Sequence, residues 1–108
     1  MLKLATMATF ILICGSAAAS NDWAEEMLVA TELGQIIGGA EVCGHALNVP
    51  KVVELMETKV AAMEASARLN FGNWRGLQGD ELQQMSEIER TAQCALQAAM
   101  AEKYGLMP

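Results

Sequence analysis

The sequence predicts an all-α protein, a small disulfide-linked bundle of three to four helices that follows a cleaved signal peptide. Three observations carry this. Apolar residues recur at helical spacing through three long stretches, no strand-like alternation runs for more than a few residues, and one cysteine stands in the first of these stretches and one in the last.

The chain opens MLKLATMATFILICGSAAAS, with an early Lys3, an apolar run from Leu4 to Cys14 and a tail of small residues. That is the anatomy of a secretory signal peptide, with Ala17 and Ala19 at the positions before the cut that signal peptidase requires to be small. Residues 1–19 are therefore expected to be removed, leaving residues 20–108 as a single helical domain. A membrane anchor needs about 20 apolar residues, roughly twice this run. A lipoprotein signal would place a small residue where Ile13 precedes Cys14.

Residues 22–45 form the first and central helix. Val29, Leu33, Ile36, Ala40 and Cys43 follow one another at spacings 4, 3, 4 and 3, a stripe that faces a neighbouring helix. Trp23, Met27, Gly34 and Gly38 lie on the other side, and the two glycines let a partner approach closely. Gly44 ends this helix. Asn48 then caps a second one with Pro50 in its first turn, and Val49, Val52, Met56, Val60, Met63 and Ala67 give it one apolar face as far as Arg68.

From Leu69 to Gly79 the text LNFGNWRGLQG carries three glycines and two asparagines, and an irregular connection is expected. Phe71, Trp74 and Leu77 sit in it, either folded under the bundle as a lid or displayed to a partner. The last helix is bounded by the capping box SEIE at Ser86–Glu89 and by Gly105. Ile88, Ala92, Ala95, Leu96, Ala99, Met100 and Tyr104 make a broad face expected to enter the core, and Thr91, Cys94, Ala98 and Ala101 a narrower row of small residues.

Cleavage removes Cys14 and leaves Cys43 and Cys94, an even pair that in an exported chain reads as a disulfide, with two buried free thiols as the alternative. In the chain-entropy model such a bond contributes roughly 4 kcal/mol. The full chain carries a formal net charge of −6, and loss of Lys3 makes the mature one more negative still. Nucleic acid and anionic membrane surfaces are poor partners for it, and no stable membrane insertion of the mature chain is expected.

Catalytic and metal-binding patterns are weak. His45 is the sole histidine, no Gly-x-Ser-x-Gly elbow occurs, and the CGH at residues 43–45 falls short of a haem-attachment motif. Cys43, His45 and Cys94 would give zinc three ligands, but only as free thiolates. Methionines could hold copper(I), yet Met56, Met63 and Met100 fall on core stripes, where methionine fills gaps. No catalytic residue, metal ligand or cofactor is assigned, and an enzyme is not expected.

The segments ELGQIIGGAEVCG (Glu32 to Gly44) and ERTAQCALQAAMAEKYG (Glu89 to Gly105) resemble the ELGxIIGxxExCG and TAxCxxxxxxAxxYG patterns of a family of small exported alphaproteobacterial two-cysteine helical proteins of unknown function. The resemblance implies the helical fold and the paired cysteines and carries over no catalytic residue. FGNWRGLQGD, residues 71–80, departs from that pattern and is where partner specificity could differ.

The expectation is a non-catalytic protein-binding module of the cell envelope, periplasmic or, less simply, extracellular. Its candidate partner surface is Phe71, Trp74, Arg75, Leu77, Gly34 and Gly38, facing another envelope protein or, through the glycines, a second copy in a homodimer. Two other classes compete: an acid-stress periplasmic chaperone that loosens as its many carboxylates protonate, and an immunity or inhibitor protein against an envelope toxin or hydrolase.

Overall fold

The structure, a computed structural model, describes the backbone from Leu2 onward and the side chains of residues 22–108. The signal-peptide expectation for residues 1–19 depends on side chains outside the described residues. Helix α1 (Leu2–Cys43) is followed by α2 (Val49–Leu55), a π-helical turn (Met56–Val60), α3 (Ala65–Gln84) and α4 (Glu87–Lys103). There is no strand among the described residues, and no described helix is long and apolar enough to cross a membrane.

Helix α1 is the element on which α3 and α4 pack. Its Ala30, Leu33 and Ile36 are fully buried and join Val60, Met63, Ala67, Phe71, Ala101 and Leu106 in one core. At its end Gly44 takes a φ of 72°. The His45 amide donates to the Ala40 carbonyl at 2.9 Å and the Gly44 amide to that of Glu41 at 3.2 Å, the two bonds of a Schellman turn. Helix α4 ends in the same way: Gly105 has a φ of 71°, Leu106 donates to Ala101 and Gly105 to Glu102. Leu106, the residue after that glycine, is completely buried, so the cap also delivers an apolar side chain to the core. Its carbonyl accepts the Asn48 amide at 2.7 Å, which joins the end of α4 to the start of α2.

Asn48 caps α2 as expected, accepting from the Lys51 amide, with Pro50 in the first turn. The single helix expected to run on to Arg68 is instead broken. The Ala61 amide reaches back five residues to the Met56 carbonyl, and Glu64 is extended with a ψ of 158°. The corner turns the chain so that α3 can run along α1, and it is held by side chains: Glu26 of α1 accepts the Glu64 amide at 2.9 Å, and Arg68 Nη1 donates to the Met63 carbonyl at 2.7 Å. Val60 and Met63, on either side of the corner, are both buried.

The larger correction concerns residues 69–79, which are not an irregular connection but the middle of the 20-residue helix α3. Three glycines lower its intrinsic propensity by roughly 1 kcal/mol each. Packing on α1 outweighs that loss, because the glycines of α1 admit the α3 backbone itself. A Cβ built on Gly34 would lie 2.7 Å from the Phe71 carbonyl oxygen, and one on Gly38 only 2.9 Å from Arg75 Cα. Asn70 adds a polar tie at the same interface, its Nδ2 donating to Thr31 Oγ1 at 2.6 Å.

Gly38 and Gly72 should therefore respond in opposite directions to the same change. Gly38→Ala is expected to destabilise the fold by about 2 kcal/mol or more, since backbone must move to admit the methyl group. A Cβ at Gly72 meets nothing within 4 Å, so Gly72→Ala is expected to stabilise by about 0.5–1 kcal/mol through helix propensity. Urea denaturation of the two variants against wild type checks both signs.

Candidate protein-binding surface

Cys43 and Cys94 are bonded, with their Cα atoms 5.5 Å apart at a sequence separation of 51. The sulfurs are spent on each other and offer no thiolate to a metal. Among the described residues no three His, Cys, Asp or Glu side chains converge to hold an ion. His45 lies in the turn that ends α1, half-buried, and its Nδ1 has no hydrogen-bond partner.

The disulfide fixes how α4 is rotated about its own axis. With Cys94 turned to α1, the residues flanking it on the same side, Gln97, Ala98 and Ala101, face the bundle, and Gln97 and Ala101 are fully buried. Gln97 settles on Gly39, where a Cβ would lie 3.1 Å from its Cδ, and its Nε2 has no partner. Neither Gly39 nor Gln97 stood out in the sequence, although a glycine beside the cysteine row is the trace such a contact leaves. The C-terminal end of α3 is closed from α4 by Arg90, whose guanidinium donates to the carbonyls of Leu82 at 2.9 Å and Met85 at 3.1 Å.

At the far end of α4, Glu32 of α1 gathers two partners. Its Oε1 accepts from the Tyr104 hydroxyl at 2.8 Å and lies 3.2 Å from Lys103 Nζ. Burial, and then the adjacent Glu32 carboxylate, push the Tyr104 hydroxyl well above the usual phenol range. At the other end the capping box forms as predicted, and its hydrogen bonds from Ser86 hold Glu89 below the ordinary carboxylate value.

The rotation of α4 also reverses the expectation for its broad apolar face. Ile88 is 83% exposed and Leu96 54% exposed, and Ala92, Ala95 and Ala99 are exposed with them; Met100 and Tyr104, on the margin, are half-buried. The narrower row of small residues is the one that enters the fold. No charged residue occurs between Arg90 and Glu102, so the outer side of α4 is an apolar strip more than three turns long. Ile88, Ala92, Ala95 and Ala99 run along it at spacings 4, 3 and 4.

The surface expected from sequence is dispersed. Phe71 is 4% exposed and belongs to the core, so it acts from beneath the bundle and not at its surface. Gly34 and Gly38 are covered by α3 of the same chain, which removes them as a dimer contact. Trp74 is half-buried with its Cβ over Gly34, while Arg75 and Leu77 are exposed on α3. Comparison of the chain with protein-family models, curated proteins and solved structures finds no match.

Two substitutions probe these contacts. Gln97→Met, similar in shape and without the unpartnered amide, is expected to leave stability unchanged or raise it by about 1 kcal/mol in thermal melts. Tyr104→Phe is expected to cost about 1–2 kcal/mol at neutral pH. Because the folded hydroxyl titrates above its unfolded value of about 10, its contribution is complete below that pH and fades above it. The gap in melting temperature between wild type and Tyr104→Phe should therefore narrow as pH rises past about 10.

Proposed function

We propose that this chain is a non-catalytic, exported helical module of the cell envelope that binds another protein through the outer side of α4. The observation that carries the reading is the uncharged apolar strip formed by Ile88, Ala92, Ala95, Leu96 and Ala99 on a helix whose opposite side is already pinned by a disulfide. Exposed apolar residues are ordinary when scattered, but a continuous strip without charge is a place where a second surface gains by excluding water. A stable disulfide suits an oxidising compartment, and the N-terminal run of Leu4 to Cys14 followed by small residues supports export.

The net negative charge makes a protein a better partner than nucleic acid.

Two measurements test the reading. Protein recovered from a periplasmic fraction is expected to begin near Ser20 by intact mass, and recovery of only the uncleaved chain from the cytoplasm would count against export. Envelope partners captured on immobilised wild-type protein should be lost with Ala92→Glu, which places a carboxylate in the middle of the strip without disturbing the helix. Equal capture by both would remove α4 as the binding surface.

A further inference from the structure

We propose that the bond between Cys43 and Cys94 is a reversible thiol-exchange site, opened by a small external thiol without loss of the fold, and that Gln97 is the positioning residue that stabilises its reduced form. Among the described residues, two buried side-chain atoms have no hydrogen-bond partner, His45 Nδ1 and Gln97 Nε2. Both belong to neighbours of the disulfide in sequence: His45 is two residues past Cys43, and Gln97 is three past Cys94, on the same side of α4. Unpartnered buried groups are few in folded proteins. Two beside one bond mark it as a place whose polar surroundings are incomplete in the oxidised state.

Gln97 is completely buried, and its Oε1 lies 3.7 Å from Cys43 Sγ. A disulfide sulfur carries no proton, so this contact is not a hydrogen bond in the oxidised protein, and Oε1 finds no other donor among the described residues. Reduction puts a proton on Cys43 Sγ, opposite an acceptor already in place. Turned over about its last torsion, the same amide offers an N–H to a thiolate, the form that attacks when the bond closes again. The amide is lodged against Gly39, where a Cβ would collide with Oε1 and lie 3.1 Å from Cδ, so it stays beside the sulfur.

The ends of α4 are held without the sulfurs. Arg90 ties its start to the end of α3, Glu32 holds Tyr104 and Lys103 at the other end, and Leu106 beyond them is buried in the core. Cys43 and Cys94 are themselves half-buried. Gly44, next to Cys43, is exposed, and among the described residues nothing from elsewhere in the fold lies within 4 Å of where its Cβ would stand. A small thiol can approach from that side. Its thiolate attacks one sulfur to form a mixed disulfide and releases the other, which takes a proton; a second thiol then attacks the mixed disulfide and releases the remaining cysteine. Two external thiols become one disulfide, and the protein gains two electrons and two protons.

Equilibration of the folded protein with mixtures of reduced and oxidised glutathione, read by alkylating free thiols and weighing the intact chain, tests the assignment. Wild type is expected to reach the same mixture of disulfide and dithiol from either direction, with helical circular dichroism retained throughout. Gln97→Met keeps the shape and removes the amide. It is expected to shift the equilibrium toward the disulfide by about tenfold, the size of one net hydrogen bond and about 30 mV for a two-electron couple. Gln97→Leu should shift it in the same direction, whereas Tyr104→Phe, which weakens α4 away from the sulfurs, should leave it unchanged. A wild type that glutathione cannot open while folded, a Gln97→Met equilibrium no further toward the disulfide than wild type, or an equal shift in Tyr104→Phe would each overturn the assignment.

Discussion

The bond between Cys43 and Cys94 joins the last turn of α1 to the middle of α4, and most of what is distinctive in this fold follows from where it points α4. Along its middle, from Thr91 to Ala101, helix α4 carries two rows of apolar or small residues on different sides, and spacing alone does not say which of them faces α1. A covalent link at Cys94 decides it. It turns Gln97 and Ala101 onto α1, leaves Ile88 and Leu96 outside, and brings Tyr104 and Lys103 to Glu32. Closing a loop of this size also removes much of the unfolded chain's freedom, worth roughly 4 kcal/mol in a domain whose whole stability is of order 5–15 kcal/mol.

The second constraint is the contact of α1 with α3, which is made between backbones. Gly34 and Gly38 offer no side chain, so Phe71 and Arg75 approach α1 with their main chains and Trp74 with its Cβ, and Phe71 turns its ring into the core beside Val60 and Met63. Close backbone approach gains dispersion contacts along the whole interface and allows polar ties such as that between Asn70 and Thr31. The two ends of the bundle are finished by matching Schellman turns at Gly44 and Gly105, and the second links to the Asn48 cap of α2. A small core is thus bounded by hydrogen bonds wherever a helix stops.

These constraints explain why the candidate surface lies on α4. The disulfide and the Glu32 cluster hold that helix by one side, and the other side carries no charge that would favour solvent over a partner. The remaining exposed apolar residues, such as Trp23 and Leu28 on α1 and Leu69 and Leu77 on α3, are spread over different helices. An edge formed by one straight helix is simpler to match than such a scatter.

Local sequence determined the elements with clear boundary chemistry. The Gly44 and Gly105 ends, the Asn48 cap and the Ser86 capping box all lie where their residue types place them, because each is settled by hydrogen bonds within one turn. The pairing of Cys43 with Cys94 was likewise legible, from the number of cysteines and the leader-like start of the chain. Tertiary structure alone decided three things. Residues 69–79 became helix because α1 supplied a surface without side chains, which outweighed glycine's local preference for turns. The chain broke at residues 61–64 because α3 has to turn and run along α1. Phe71 and the glycines of α1 are covered while the broad stripe of α4 stays exposed, because two apolar stripes on one helix are indistinguishable by spacing, and only the partner bonded to Cys94 selects which of them is buried.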